Sequence, residues 1–551
     1  MPGSFRFRTV LAALIAGVSL CNPATVCGQD PQRGQIPIGP WRIAGTVVNA
    51  NTGVPLARTR LTIQDTKIRR NTRITISSDS GHFEFRVPAG KFALQGAKRG
   101  FITGAYNQHD QYSTAIVAGV AGVDSENLTL RLAPNAVLSG KVLDEYGEPV
   151  RQAQVMVYRE SRFSGVSRIT RFRGTVTDDL GRYEVTPLDA GTYFVSVKAS
   201  PWYAMHPPSN REGPNAPVQV DPGLDVAYPV TFYGDATEAD EATPIPVRGG
   251  DHLEADIHVN PTPALHLLFH AGDNGSPIAY PELQRSVFDG VEGVDGGNFE
   301  MVSPGMFELT GVAAGRYLVR MPDSNGHLKE PVAANLTNSQ ELDTAAGNST
   351  STVKVKIELP GASAIPASIQ IGLRNSQGTV LASRTDAKGE AMFSEVIPGK
   401  YDVMAGSANE NYTVIRLGGE GGAIAGRSLN VPSASSVAVT ATLIGGSVTV
   451  DGFAKQDGKG FAGAMVVLIP DDPEANIDRF RRDQTDLDGS FTLYNVTPGS
   501  YTVIAIENGW DLDWAKPVVL ATYSHNSPTV TVQANQKGTV HLGEAVNVAQ
   551  K

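Results

Sequence analysis

The sequence predicts an all-β protein built as a tandem array of about five β-sandwich domains, and three observations support this. A chain of 551 residues is too long for one hydrophobic core. Its 58 glycines and 35 prolines, with few apolar residues at helical spacing, suit short strands joined by turns. One stretch with two glycines and two aromatic residues recurs five times, at a spacing of roughly one hundred residues, so each copy marks a domain.

The recurring stretch is clearest at residues 486–503, DLDGSFTLYNVTPGSYTV. An Asp-x-x-Gly turn leads into a strand with period-two alternation, and a second glycine turn leads into another strand. An aromatic residue stands near the start of each strand, except that Ala391 replaces the first one in the fourth copy. Each domain must build its own core, so these rings should be buried. The aromatic residues are Phe83, Phe92, Tyr183, Tyr193, Phe307, Tyr317, Tyr401, Phe491 and Tyr501.

Residues 1–28 are predicted to be a secretory signal peptide. Arg6 and Arg8 precede an apolar run that is shorter than the roughly 20 residues needed to span a bilayer, and small residues follow it. Both cysteines of the chain, Cys21 and Cys27, lie in this segment. A mature chain that begins at position 29 would therefore have no thiol, which excludes disulfides, thiolate metal sites and cysteine nucleophiles.

The charge narrows the class of partner. Removal of Arg6 and Arg8 would take the formal net charge from −10 to −12. An acidic surface repels phosphate backbones, so nucleic acid is not expected as a partner. No later apolar stretch is long enough to cross a bilayer. We therefore expect a secreted or periplasmic protein of the cell envelope, with a polysaccharide or an envelope protein as its partner.

A second pattern stands upstream of the recurring stretch. At residues 43–63, 138–158 and 450–469 it consists of a strand, a glycine-containing turn, a small residue and another strand. Together the two patterns resemble the carboxypeptidase regulatory-like family, a transthyretin-like (prealbumin-like) β-sandwich that is also grouped with starch-binding-like domains. The resemblance implies transthyretin-like or Ig-like sandwiches. It specifies fold rather than function, since the matching residues are turn and core residues.

The copies of the two patterns also predict the domain boundaries. Each boundary should follow a closing strand or a Pro/polar segment and precede a new opening strand. The second domain should carry a Pro/Tyr-rich extension. The predicted sandwiches are residues 29–133, 134–262, 263–350, 351–445 and 446–551.

Aromatic residues outside the recurring stretch are the candidate ligand-binding residues. Aromatic rings on loops can stack on sugars, and neighbouring carboxylates can accept hydrogen bonds from hydroxyl groups. The alternative is that these rings only pack against their own domain. The candidates are Trp202 and Tyr233 in the extension, and Trp510, Asp511, Asp513 and Trp514 in the sequence ENGWDLDWAKP.

Sequence motifs give little support for catalysis. The chain has no H-E-x-x-H, G-x-S-x-G or Walker sequence, and we predict no cofactor and no metal site. The regulatory-like domain that the chain resembles lacks the zinc ligands of the metallocarboxypeptidases it accompanies. The densest histidine group is His252, His258, His266 and His270. The alternative to a non-enzyme is thus a metal-dependent or hydrolytic enzyme that uses residues 252–270.

We therefore expect a secreted, non-enzymatic string of five sandwiches that acts as a modular spacer or interaction scaffold at the cell envelope. Carbohydrate binding by exposed aromatic residues is the hypothesis for its ligand.

Overall fold

A computed structural model describes residues 34–551 apart from 164, 209–219, 271–279, 295–296, 324–325, 361–368, 376–377, 408–411, 421–422 and 535. The predicted signal peptide, residues 1–28, lies outside the described residues. Within them, strands dominate and five β-sandwiches follow one another along the chain. No helix in this part of the chain is long and apolar enough to span a membrane.

The first sandwich contains eight strands. They are β1 Trp41–Asn49, β2 Arg60–Asp65, β3 Thr72–Ile76, β4 His82–Val87, β5 Gly90–Ala97, β6 Gly104–Ala105, β7 Ile116–Ala118 and β8 Leu128–Leu132. One sheet has the order β4-β1-β8, and the other has the order β3-β2-β5 with β6 and β7 both on β5. The pairing of β1 with β8 is parallel, while β1 and β4 are antiparallel.

The described residues of the second sandwich contain eleven strands. They are β9 Ala136–Leu143, β10 Gln154–Ser161, β11 Arg168–Val176, β12 Arg182–Leu188, β13 Gly191–Lys198, β14 Val226–Ala227, β15 Thr231–Phe232, β16 Ile245–Val247, β17 His252–Glu254, β18 Ile257–His258 and β19 Thr262–Pro263. Here β9 lies between β12 and the parallel strands β17 and β18, and β10 lies between β11 and β13. Two short 3₁₀ helices, Pro222–Leu224 and Ala239–Glu241, belong to the extension.

The third and fourth sandwiches repeat this topology. The third has β20 Leu265–His270, β21 Glu282–Val287, β22 Gly290–Gly293, β23 Asn298–Ser303, β24 Met306–Val312, β25 Gly315–Arg320, β26 Val332–Leu336 and β27 Gln340–Glu341. The fourth has β28 Ser351–Glu358, β29 Gln370–Asn375, β30 Val380–Arg384, β31 Glu390–Val396, β32 Gly399–Gly406, β33 Tyr412–Glu420, β34 Ala423–Ala425, β35 Ser428–Val431 and β36 Ser436–Gly445. The opening strand again pairs antiparallel with the strand after the Asp-x-x-Gly position and parallel with a closing strand.

The fifth sandwich has the same opening and closing pairings. Its strands are β37 Val448–Gln456, β38 Lys459–Gly460, β39 Met465–Pro470, β40 Arg481–Gln484, β41 Ser490–Val496, β42 Gly499–Ile506, β43 Thr529–Val532, β44 Thr539–His541 and β45 Val546–Ala549. It also holds the helix α1 Pro517–Tyr523 and the 3₁₀ helices Ile477–Arg479 and Gly509–Asp511. Strand β45 pairs with both β37 and β42 and so links the two layers of the sandwich.

The recurring stretch has the structural role that its residue types predict. Gly489 adopts a φ of 81°, and its amide donates to the carbonyl of Asp486 at 2.8 Å, which closes the turn before β41. Tyr193 and Tyr501 are 0% and 1% exposed, which confirms the predicted burial. The Tyr501 hydroxyl donates to the carbonyl of Thr497, four residues earlier, at 2.7 Å. The equivalent bonds are Tyr193 to Asp189, Tyr317 to Ala313 and Tyr401 to Ile397.

Each sandwich has its own hydrophobic core. The first strand of each contributes alternate buried residues, as in Val353, Val355 and Ile357 of β28, which face the second sheet. The five cores draw on residues 36–132, 136–259, 265–342, 353–443 and 448–548. The fold is thus a tandem array of about five β-sandwich domains, including the third and fourth copies, whose motifs are incomplete.

Candidate functional site

The fifth sandwich contacts the first through the turn of the recurring stretch. Lys91 Nζ lies 2.7 Å from Asp486 Oδ2, and the amide of Ala115 donates to Asp486 Oδ1 at 3.1 Å. The amide of Leu487 donates to the carbonyl of Ala115 at 3.0 Å. Burial raises the pKa of Asp486, and the Lys91 ammonium opposes this shift by favouring the carboxylate. A turn aspartate therefore also joins the first and last sandwiches.

The fifth sandwich also contacts the second and the fourth. Asp513 Oδ1 accepts from the amide of Ser167 at 2.9 Å, and Arg427 Nη2 lies 2.9 Å from Asp478 Oδ2. Contacts between sandwiches that are not neighbours in sequence are inconsistent with a linear string. The arrangement of the sandwiches is therefore closed, because the fifth sandwich contacts the first and the second as well as the fourth.

Trp510 belongs to the contact with the first sandwich. Its ring is half-buried and stacks on His109, with ring centroids 4.9 Å apart and an interplanar angle of 3°. Tyr112 lies beside it, with centroids 5.7 Å apart. The guanidinium of Arg482 lies 5.9 Å from the centre of the Trp510 ring. One face of this indole is therefore already covered by a neighbouring domain.

Trp514 is buried, at 5% exposed, and this corrects the expectation of an exposed ring. Its edge-on contact with Phe480 has centroids 5.5 Å apart, and Leu520 of α1 packs in the same small core. A Cβ atom built on Gly165 of the second sandwich would lie 3.0 Å from the Trp514 ring. The ring is buried because α1 and the second sandwich close over it.

Asp511 and Asp513 are engaged in ion pairs. Lys551 bonds to Asp511, and Lys516 Nζ lies 2.5 Å from Asp513 Oδ2. These bonds lower the pKa of each carboxyl group, so both are ionised at neutral pH. Arg162 of the second sandwich also lies 3.3 Å from Asp513. Both carboxylates thus act in structural contacts.

Trp202 and Tyr233 lie in the second sandwich, apart from the group around Trp510. Tyr233 is half-buried, packs against the second core, and its amide donates to the carbonyl of Val195 at 2.9 Å. Trp202 is 87% exposed, and its ring meets that of Tyr203 edge-on with centroids 5.8 Å apart. Of the four aromatic candidates, Trp202 has the most exposed ring.

A fixed carboxylate bonds to Tyr203, the residue that follows Trp202. Glu145 accepts hydrogen bonds from the hydroxyls of Tyr203 and Tyr228, the latter at 2.9 Å. Burial, together with the bond to Glu145, raises the pKa of Tyr203 to about 12. The next residue, Tyr146, is 82% exposed. The exposed residues Tyr146 and Trp202 are thus the chain neighbours of Glu145 and Tyr203, which bond to each other, and rings with a carboxylate can combine stacking with hydrogen bonding.

A cleft of about 1080 Å³ opens where the first, second and fifth sandwiches meet. Its walls carry charged and polar groups from all three, including His109, Arg159, Arg162, Asp189, Trp510 and Asp511. Arg159 lies 3.3 Å from Asp189, so these two charges are paired within the wall.

The four histidines of residues 252–270 do not form a common site. His252 and His258 are exposed, and His270 lies 3.4 Å from the exposed Glu341. His266 instead lies between Glu308 and Asp225, at 2.7 and 2.6 Å. Within the described part of the chain, no group of three or more His, Cys, Asp or Glu side chains is arranged to hold a metal ion.

The sequence analysis did not identify the charged and aromatic residues that surround the candidate ligand-binding residues. Arg482 has a side chain only 4% exposed, and its guanidinium lies 4.6 Å from the ring centre of Trp514. Lys91 and Tyr146 were also missed. Lys91 and Arg482 lie in or near copies of the recurring stretch, and this was the only signal in the sequence. The stretch predicts contacts within a domain, so it does not indicate that these residues contact another domain.

These observations define a multi-domain β-sandwich protein. Residues 137–221 match the model of the carboxypeptidase regulatory-like domain, so the chain carries a domain of that family in its second sandwich. No curated protein matches the chain.

Several solved structures are similar to it. The Bacillus anthracis TIE protein is 13% identical with a TM-score of 0.17, and the match covers 72% of each chain. BcpA, the major pilin subunit of Bacillus cereus, is 9% identical with a TM-score of 0.14, over 73% of this chain and 98% of that one. A streptococcal ancillary pilin is 11% identical with a TM-score of 0.20, over 55% and 98%.

Proposed function

We propose that this chain is a secreted, non-catalytic interaction scaffold of the cell envelope that binds carbohydrate through an exposed aromatic surface on its second sandwich. The observation that supports this best is the contrast between the tryptophan groups. Trp510 and Trp514 are used in contacts between sandwiches, whereas Trp202 is 87% exposed. Trp510 and Trp514 help to fix the arrangement of the domains, whereas the ring of Trp202 is free to contact a ligand.

The proposed carbohydrate surface consists of Tyr146, Trp202, Tyr203 and Glu145. An indole or phenol ring can cover the apolar face of a sugar, and a carboxylate can accept hydrogen bonds from its hydroxyls. Each such bond contributes only about 0.5 to 1.5 kcal/mol net, so a single site should bind weakly. Retention on a polymer would then depend on several sites held on one chain or on several chains.

The predicted signal peptide at residues 1–28 supports an extracellular place for this scaffold. The five domains would lie between residues 29 and 551, with boundaries near 134, 263, 351 and 446.

The test is retention of residues 29–551 on insoluble cellulose, chitin, xylan and peptidoglycan. The double variant Tyr146→Ala/Trp202→Ala should lose retention with an unchanged melting temperature, because both rings are exposed. Tyr494→Ala removes a ring that is 56% exposed on the fifth sandwich and serves as the matched control. Equal retention of the double variant and the control, or no retention of the unaltered chain, would contradict carbohydrate binding at this surface.

A further inference from the structure

A small cleft between the fourth and fifth sandwiches is rich in arginine. It has a volume of about 290 Å³ and lies between strands β29, β30 and β32 on one side and the segment before β40 on the other. The residues that line it from the fifth sandwich are Asp478, Arg479, Arg481 and Thr497, and the polar residues from the fourth are Gln370 and Thr413.

Arg479 has no acceptor for its guanidinium among the described residues. Its Nε is buried without a hydrogen-bond partner, and Nη1 lies near Gly499, 3.3 Å from the place where a Cβ atom of that residue would stand. Burial is the largest cause that lowers the pKa of Arg479, and the nearby charge of Arg427 lowers it further. The residue as a whole is half-buried, and a buried guanidinium nitrogen without a partner is costly, so this position favours an added counter-charge.

The neighbouring groups supply this counter-charge only in part, because the charge of Asp478 favours the cationic form of Arg479 without bonding to its guanidinium. Arg481 donates to the backbone carbonyls of Asn495, Asp478 and Phe480, which carry no net charge. The carboxylate of Asp478 is bound by Arg427 Nη2 at 3.0 and 2.9 Å through its two oxygens. The guanidinium groups of Arg427, Arg479 and Arg481 therefore share one nearby carboxylate. That carboxylate, of Asp478, is already bound by Arg427.

We propose that this cleft binds a small oxyanionic group, either a free inorganic anion or the acid group of an acidic sugar. Guanidinium presents paired donors that match the oxygens of carboxylate, phosphate and sulfate, and the partly enclosed site strengthens the attraction. Gln370 also lines the cleft as a polar residue, while the hydroxyl of Thr497 is held by that of Tyr501 at 3.1 Å. The bound anion would also stabilise the contact between the fourth and fifth sandwiches, since it would neutralise the repulsion between Arg427 and Arg479.

The test is isothermal titration calorimetry of residues 29–551 with inorganic phosphate and, separately, with glucuronate, at an ionic strength held constant with sodium chloride. We expect saturable binding that weakens by about tenfold in Arg479→Gln, the loss expected for charge-assisted hydrogen bonds. Arg248→Gln, which removes an exposed arginine of the second sandwich, should leave the affinity unchanged. Binding of phosphate alone would identify a free anion as the ligand, and binding of glucuronate would identify an acidic sugar.

A second variant tests the cleft without altering any charge. Ala382 is exposed on the wall of the fourth sandwich, so Ala382→Phe should fill the cleft while every arginine remains. It should weaken binding as Arg479→Gln does, and circular dichroism would confirm that both variants are folded. The proposal is overturned if neither anion binds saturably, or if a folded Arg479→Gln chain binds with the affinity of the unaltered protein.

Discussion

Lys91 of the first sandwich forms an ion pair with Asp486 of the fifth, with Nζ and Oδ2 2.7 Å apart, although the two residues are 395 positions apart in the chain. The two side chains are 29% and 17% exposed. Because the amide of Ala115 donates to the same carboxylate, the pair is part of a hydrogen-bonded contact and not an isolated surface bridge. This contact joins the two ends of the array.

Replacement of Lys91 should weaken this junction. Lys91→Met leaves Asp486 partly buried without its cation, so we expect a loss of about 1 to 3 kcal/mol in the free energy of unfolding. Lys354→Met is the matched control, because it breaks a more exposed pair with Glu390 within the fourth sandwich and should cost at most about 1 kcal/mol. Chemical denaturation measures both. Equal losses in the two variants would mean that the junction is not stabilised by the pair.

The Arg482 guanidinium should stabilise the same region through aromatic contacts. It lies 5.2 Å from the ring centre of Tyr112 and 4.6 Å from that of Trp514, and it is almost fully buried. Arg482→Met keeps much of the volume but removes the charge, and it should cost about 2 kcal/mol. The emission of Trp510 and Trp514 should shift to longer wavelength as water enters. An unchanged spectrum and stability would contradict the assigned role.

The recurring tyrosines should stabilise each sandwich mainly through burial. Tyr193→Ala should cost about 3 to 5 kcal/mol, as large-to-small core substitutions do. Tyr193→Phe removes only the hydrogen bond to the Asp189 carbonyl and should cost about 1 kcal/mol. Thermal unfolding of the two variants separates packing from hydrogen bonding. A loss below about 1 kcal/mol for the alanine variant would contradict a core role.

His266 should make the contact between the second and third sandwiches sensitive to alkaline pH. Hydrogen bonds to Glu308 and Asp225 raise its pKa to about 9. Because the folded pKa lies above the unfolded one, near 6.5, this stabilisation is complete below pH 6.5 and is lost as the pH rises through about 9. We expect a loss of about 1 to 2 kcal/mol, less than the full pKa shift would give, because the ring is not fully shielded from water.

Melting temperatures between about pH 7.5 and 9.5 test this assignment. Asp483, whose pKa burial raises to about 7, is mostly ionised in that range and contributes little slope. His206, which also bonds to Asp225, is kept in both proteins. The unaltered chain should lose stability across the range, and His266→Gln should not. Parallel curves would show that another group titrates there.

The predicted domain boundaries can be tested on the fourth sandwich. Its core of twenty buried residues lies entirely within residues 353–443, so a fragment of residues 351–445 should unfold cooperatively by itself. A fragment of residues 360–445 lacks β28 and is expected to remain unfolded. Failure of the longer fragment to fold would place the boundary elsewhere or make the fourth sandwich dependent on its neighbours.

The fold could be predicted from sequence because its determinants are local. Gly489, Phe491 and Tyr501 close a turn and fill a core within their own domain, and the same residue types do so in the other copies. The candidate site was predicted less well. The burial of Trp514 depends on its contact with Gly165 of the second sandwich, which is more than three hundred positions away. No local sequence pattern predicts that contact.

The surroundings of the exposed Trp202 were likewise not predictable from the sequence. Sequence placed it among several aromatic residues of a Pro-rich extension, but the anchored Glu145 and the exposed Tyr146 come from a turn about sixty positions earlier. A surface that combines two distant loops depends on how the loops dock, and docking follows from tertiary structure.

The closed arrangement of the five sandwiches is the central claim, and small-angle X-ray scattering of residues 29–551 tests it most directly. A closed array of this length should have a radius of gyration below about 35 Å, whereas a linear string of five sandwiches of this size should give about 50 Å. The contacts from Lys91 to Asp486 and from Ser167 to Asp513 predict the smaller value. A measured radius near that of the linear string would contradict the closed scaffold.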